Sequence, residues 1–308
     1  MRVAVVDIGT NSTRLLIADV DRESGSLEEL SRRSRVTRLG DGVDSNGSLS
    51  QAAIARVFAT LDDYRAEIDA QRCEANLAVL TSAVRDAANG GEFAARVRDD
   101  YGLDARVLSG DEEARLTFLG AMSGRPAAEE PTVVIDIGGG STEFVVGRGH
   151  EAGFHVSLPV GVVRMSERHI HSDPPDPAEL QALSQEVREI LVRGLPAHER
   201  DAVMQGIAVA GTATSAASID QELDPYDPAR VHGYVLMLGT VELLLARLAD
   251  MTESQRREVV GLDPSRAPTI VAGMIVLSEA IRAFDLEQVE VSDHDILHGG
   301  ALRLAGVA

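Results

Sequence analysis

The sequence predicts an α/β protein whose plan is laid down twice. Apolar runs of strand length alternate with segments of helical period along the chain, the ordering typical of α/β folds. A short pattern near the N-terminus, an aspartate ending an apolar run just before a small-residue turn, returns in the second half. The 308 residues suffice for two domains of ordinary size, each with its own core.

In the first half Val3 to Ile8 reads as a buried strand, followed by a Gly-Thr-Asn-Ser turn and a returning strand from Leu15 to Ala18. Leu27 to Val36 extends the pattern as a third strand ending in basic residues, and Asp41-Gly42 and Asn46-Gly47 mark loops. Ser50 suits the N-cap of a helix whose Ile54, Val57, Phe58, Leu61 and Ile68 keep one apolar face. Ala75 to Leu80 and Ala105 to Leu108 are further strands. Ser109 and Glu112 have capping-box spacing and open a helix with Ala114, Phe118, Leu119 and Met122 on one side. The small, polar, Pro-containing stretch Ser123 to Pro131 is the expected linker. It sets the lobes at residues 1–124 and 125–308, with about 296–308 free to pack back on the first.

The second half runs through a strand Thr132 to Ile137, a Gly138-Gly-Gly-Ser141 turn and a strand Phe144 to Val146. Asp176-Pro177 caps a helix carrying Leu180, Leu183, Val187, Ile190 and Leu191. Gly206 to Ala210 is a strand leading into Gly211-Thr-Ala-Thr-Ser215, followed by helices over about Thr240–Asp250 and Ala267–Ala283. Val289 to Ser292 is the last strand, and Asp293-His294-Asp295 after it reads as a surface loop.

Charge and composition narrow the function. A net charge of -20 argues against a broad surface for duplex nucleic acid. All 29 basic residues are arginines, so a P-loop lysine and a Schiff-base lysine are both excluded. Any phosphate site must use backbone N–H groups, hydroxyls and guanidinium forks. The single cysteine, Cys73, excludes an intrachain disulfide and a cysteine metal cluster and suits a reducing cytoplasm. No apolar run has the length of a membrane span, and Met1-Arg2 runs directly into the first strand with no signal-peptide pattern.

The most informative feature is the echo itself. Asp7-Ile-Gly-Thr-Asn-Ser-Thr13 recurs as Asp136-Ile-Gly-Gly-Gly-Ser-Thr142, an offset of 136 − 7 = 129 residues. Small residues let a backbone come close to an anion, and successive N–H groups form a concave nest. Ser12, Thr13, Ser141 and Thr142 add hydroxyls. One such turn is ordinarily a glycine-rich hairpin; two, each led by an aspartate, point to phosphate groups with a hydrated metal held between them. The acidic run Asp111, Glu112, Glu113 complements a helix dipole or aims one carboxylate as a general base, and spacing alone leaves both readings open.

Five segments in order resemble the motifs of the exopolyphosphatase/guanosine pentaphosphate phosphohydrolase (Ppx/GppA) family: Asp7–Ser12, Thr81–Asn89, Ser109–Leu116, Asp136–Glu143 and Gly211–Ser215. His232-Gly-Tyr234 and Asp263–Ala267 extend the likeness over nearly the whole chain. The resemblance implies two actin-like, ribonuclease H-like lobes with an interdomain cleft. It makes Glu113 the base that orients and deprotonates a water, and Asp136, Glu143 and Asp7 the acidic positions around a magnesium ion. Backbone groups of Thr10, Asn11, Ser12, Gly138, Gly139 and Gly140, with Ser141 and Thr142, would grip phosphates, and Arg85 would clamp one. Arg14, Arg164 and Arg266 are weaker candidates for the same polyanion, and Gly211–Ser215 resembles an adenosine-binding loop.

The implied substrate is inorganic polyphosphate, cleaved at its terminal phosphate, with guanosine pentaphosphate as the rival. A link to the stringent response, a cytoplasmic setting and a possible homodimer come with the family. Longer members carry C-terminal domains with no counterpart in these residues, which leaves chain-length preference open. A small-molecule kinase and a non-catalytic sensor of guanosine tetraphosphate or polyphosphate are the remaining alternatives. The Glu112-Glu113 pair counts against the kinase.

Overall fold

The computed structural model describes residues 1–125, 130–149 and 151–307. Residues 126–129 of the expected linker lie outside the described residues. The chain forms two compact units, one of Met1–Pro126 with His294–Ala308 and one of Ala127–Asp293.

The first unit holds a five-stranded sheet in the order β3-β2-β1-β4-β5, with β1 Arg2–Ile8, β2 Ser12–Val20, β3 Leu27–Val36, β4 Ala75–Leu80 and β5 Ala105–Val107. β1, β2 and β3 form an antiparallel meander, while β4 and β5 run parallel to β1. β1 is central and buried on both faces, which is why it reads as an unbroken apolar run. Its side chains alternate. Ala4, Val6 and Ile8 pack with the Gln51–Ala70 and Gly90–Tyr101 helices. Val3 and Val5 pack with the C-terminal helix Ile296–Ala305. That helix also lies against Gly110–Met122 at very short range. A Cβ on Gly299 would fall 1.9 Å from the Leu116 carbonyl oxygen, and one on Gly120 would fall 1.8 Å from that of Asp295. Two glycines thus set the approach of the two helices.

The second unit has a six-stranded sheet, order β10-β11-β9-β6-β7-β8, with β6 Thr132–Ile137, β7 Thr142–Arg148, β8 Glu151–Leu158, β9 Gln205–Val209, β10 Val235–Met237 and β11 Gln288–Val291. β6, β7 and β8 repeat the antiparallel meander, and β9 runs parallel to β6. Each unit therefore has the ribonuclease H-like plan of the actin class. One core joins this sheet to helices Pro177–Gly194, Ala210–Asp220, Leu238–Ala249 and Ile270–Ala283.

The helix at Gln51 is capped by Ser50, and Ser109 with Glu112 and Asp176 with Glu179 form capping boxes. Sequence patterning missed β8, the Gly90–Tyr101 helix and the short helices Ser82–Asp86 and Val162–His169, whose apolar residues are too few for a clear period. Gly211–Ser215 is helix rather than loop, because the Ala210–Asp220 helix starts directly on β9. Asp293-His294-Asp295 is not a surface loop: Asp293 is 7% exposed and Asp295 1%. Among the described residues no helix is long and apolar enough to cross a membrane.

Candidate active site

In a parallel set, loops that leave the carboxyl ends of neighbouring strands collect at one edge of the sheet. In the first unit Ile8, Leu80 and Val107 are aligned in register across β1, β4 and β5. The three segments that follow them carry Thr10, Asn11 and Ser12, then Ser82 and Arg85, then Glu113. The Thr10 and Ser82 hydroxyls are 2.9 Å apart. Arg85 Nη1 donates to Glu113 Oε2 and to the Leu108 carbonyl, both at 3.0 Å. The short Ser82–Asp86 helix therefore ties the hairpin turn to the start of the Gly110–Met122 helix. Glu113, 7% exposed, is the buried member of its acidic run, with Asp111 and Glu112 exposed. Glu112 closes the capping box, so this member of the run serves the helix N-terminus.

Both hairpin turns are closed alike, by Gly9 N–H to the Ser12 carbonyl at 3.0 Å and by Gly138 N–H to the Ser141 carbonyl at 2.9 Å. Their other carbonyls are held from behind. Thr10 accepts from Gly40 N–H, and Asn11 accepts from the N–H groups of Thr37 and Arg38. In the second unit Gly138 accepts from Val162 N–H and Gly139 from those of Val163 and Arg164, while Gly140 accepts from Arg164 Nε at 2.7 Å. In a trans peptide the N–H points opposite to the C=O of the preceding residue. The N–H groups of Asn11 and Ser12 in one turn, and those of Gly139, Gly140 and Ser141 in the other, therefore point away from these backing segments. Successive N–H groups of such a turn can form an anion nest.

A glycine lets each backing segment come close. A Cβ on Gly40 would lie 2.2 Å from Thr10 Cγ2, and one on Gly161 would lie 2.3 Å from the Gly139 carbonyl. Gly161→Ala is expected to cost about 1–3 kcal/mol as backbone moves to make room, seen as a lower Tm in a thermal melt. Neither glycine stood out in the sequence, since each looks like ordinary loop punctuation.

Behind the turns the two copies differ in one decisive pair. In β1–β2 the residue directly opposite Asp7 is Arg14; in β6–β7 the residue opposite Asp136 is Glu143. Asp7 accepts from Arg14 Nε at 2.9 Å and from Nη2 at 2.6 Å, and Arg14 Nη1 reaches on to Asp295. Alternation along β1 sends Asp7 to the face covered by the C-terminal helix, where Asp295 caps that helix through Leu297 N–H at 3.0 Å. Burial pushes the Asp7 carboxyl up, more than Arg14 pulls it down. Asp295 is also buried, yet Arg14 and then Arg32 outweigh that and hold it down at about 2. Asp7 is thus engaged by an internal cation.

Asp136 and Glu143 are both buried, at 8% and 1% exposure. Carboxylates facing across a ladder repel unless a cation or proton joins them. Ser141 and Ser157 hydroxyls each donate to Glu143 Oε1 at 2.7 Å, while the Thr142 hydroxyl is committed to the Val160 carbonyl at 2.7 Å. The donors are all oxygen and fit a hard divalent cation such as magnesium. Arg266 lies against Gly211, where an added Cβ would fall 1.6 Å from its Nη1. The preceding Ala210 has φ 63, an uncommon conformation for a residue with a side chain.

Two duplicated ribonuclease H-like units, each opening on a hairpin led by a buried strand-end aspartate, define a protein of the actin class. The chain belongs to the Ppx/GppA phosphatase family, whose model matches residues 16–305. It is 39% identical over 316 residues to "Exopolyphosphatase 2" of Mycobacterium tuberculosis, covering 99% of each chain. A solved Ppx/GppA family member from Aquifex aeolicus superposes with a TM-score of 0.83 at 31% identity, covering 99% of this chain and 97% of that one. An exopolyphosphatase from Cytophaga hutchinsonii gives a TM-score of 0.88 at 25% identity, covering 99% and 98%.

Proposed function

We propose that this chain is an exopolyphosphatase, which uses a magnesium ion and water to remove the terminal phosphate of inorganic polyphosphate. The observation that carries the reading is the Asp136–Glu143 pair, placed in register directly behind the second hairpin turn. Its oxygen donors suit a hard divalent cation, whereas the equivalent Asp7 faces Arg14. Names borne by relatives, exopolyphosphatases among them, support the substrate class.

In this reading Asn11, Ser12, Gly139, Gly140 and Ser141 offer N–H donors to phosphate oxygens. These donors are fixed before substrate arrives, so they need no reorganisation as charge develops. Asp136 and Glu143 hold the ion. A bound magnesium would offset charge on the transferring group. Glu113 orients the attacking water and accepts its proton. Arg85 Nη1 donates to Oε2 of that carboxylate and fixes its orientation. The one cysteine takes no part: Cys73 is half-buried, and burial pushes its thiol up.

The test is phosphate release from long polyphosphate, short polyphosphate and guanosine pentaphosphate, each with magnesium and with EDTA. Magnesium-dependent release from polyphosphate is expected. Release from the nucleotide alone would reassign the substrate, and tight binding without release would make the protein a sensor.

A further inference from the structure

We propose that Glu29, His294 and His298 form a site for a zinc-class divalent transition metal, which fastens the C-terminal helix to the edge strand β3. The site is independent of the phosphoryl chemistry above and lies wholly within the first unit.

His298 lies in the first turn of the Ile296–Ala305 helix, and His294 immediately precedes the Asp295 N-cap. Glu29 comes from β3. One ligand atom from each of the three lies within 4.8 Å of the others. His298 Nε2 and Glu29 Oε1 are 2.9 Å apart. Two donors on a tetrahedral zinc at about 2.0–2.1 Å stand roughly 3.4 Å from each other, so an opening of about half an ångström admits the ion. His294 Nδ1 lies 3.2 Å from Ser123 Oγ, a contact that orients the ring and leaves Nε2 to ligate.

Three adjustments are required. The two rings are stacked, with centroids 4.0 Å apart, so the half-buried His294 must turn until the lone pairs converge. His298 keeps one ring proton, which passes from Nε2 to Nδ1 and displaces the long 3.4 Å contact from Asp295 N–H. Arg32, 3.9 Å from both Glu29 and Asp295, moves over to Asp295. The charge count favours entry. Glu29, Asp295 and Asp7 are three carboxylates against the two guanidiniums of Arg14 and Arg32. Two nitrogens and one carboxylate prefer zinc, cobalt or nickel to magnesium. Occupancy would pin the helix whose Asp295 grips Arg14, and through it Asp7 at the hairpin.

The experiment is titration of the untagged, chelator-stripped full chain with zinc chloride, followed by calorimetry and by thermal melting. One equivalent is expected to bind at micromolar Kd, with Tm raised by about 5 °C at a hundredfold excess over Kd. Cobalt should give the visible absorption of a tetrahedral ion, and magnesium should not compete. His294→Gln and Glu29→Gln should each weaken zinc about tenfold or more and lose the Tm rise. His298 is fully buried, so its replacement would perturb folding and is not used. Absence of stoichiometric zinc binding, or binding that both variants leave intact, overturns the site. Loss of phosphatase activity in the parent chain would leave this result untouched.

Discussion

Glu113→Gln should abolish phosphate release, by about 10²–10⁴-fold or more, while the melting temperature stays near that of the parent. Glutamine keeps the shape and can still accept from Arg85 Nη1, so the fold loses little. It cannot take a proton from water. Parallel measurements of phosphate release and of thermal unfolding separate the two effects. Turnover at the parent rate would remove Glu113 from the mechanism, and a collapse of Tm would make it a structural residue.

Asp295→Asn should destabilise the protein by about 2 kcal/mol near neutral pH, from a folded pKa of about 2 set against an ordinary value of 3.8. The sign follows from the direction of the shift. A depressed carboxyl contributes its full stability above its unfolded value, here above about pH 4. That contribution fades as pH falls towards about 2, so parent and variant should converge in acid. Asparagine retains an oxygen for Leu297 N–H and loses only the charge facing Arg14 and Arg32.

Asp7→Asn should behave in the opposite sense. Its carboxyl is raised by burial, so its charge costs stability at neutral pH and protonation on acidification relieves that cost. The substitution is expected to be neutral or stabilising. Melts of both single variants and the double variant from pH 3 to pH 8 give the coupling through Arg14. A stabilised Asp295→Asn would show that the cluster does not hold the helix.

Much of the strand framework was legible, for a local reason. β1, β4 and β6 are continuous apolar runs because both faces are buried, and Leu27–Val36 and Ala75–Leu80 are found where the pattern placed them. Caps at Ser50, Ser109 and Asp176 were equally readable, since a cap is a contact within a few residues. The Ser82–Asp86 helix was not, because five residues show no period, yet it carries Arg85 to Glu113. Asp295 was misread because its neighbours in sequence are polar. Its burial comes from Arg14, 281 residues away, and from the sheet beneath.

The sequence by itself determined the α/β class, the duplicated hairpins, the family and the roster of phosphate-site candidates, because each is written in a few adjacent residues. Tertiary structure decided what each acidic group faces. The two aspartates sit in matching motifs, yet strand register sets Asp7 opposite an arginine and Asp136 opposite a glutamate. A carboxylate's chemistry depends on the charge within a few ångströms of it, and that neighbour is chosen by folding rather than by motif.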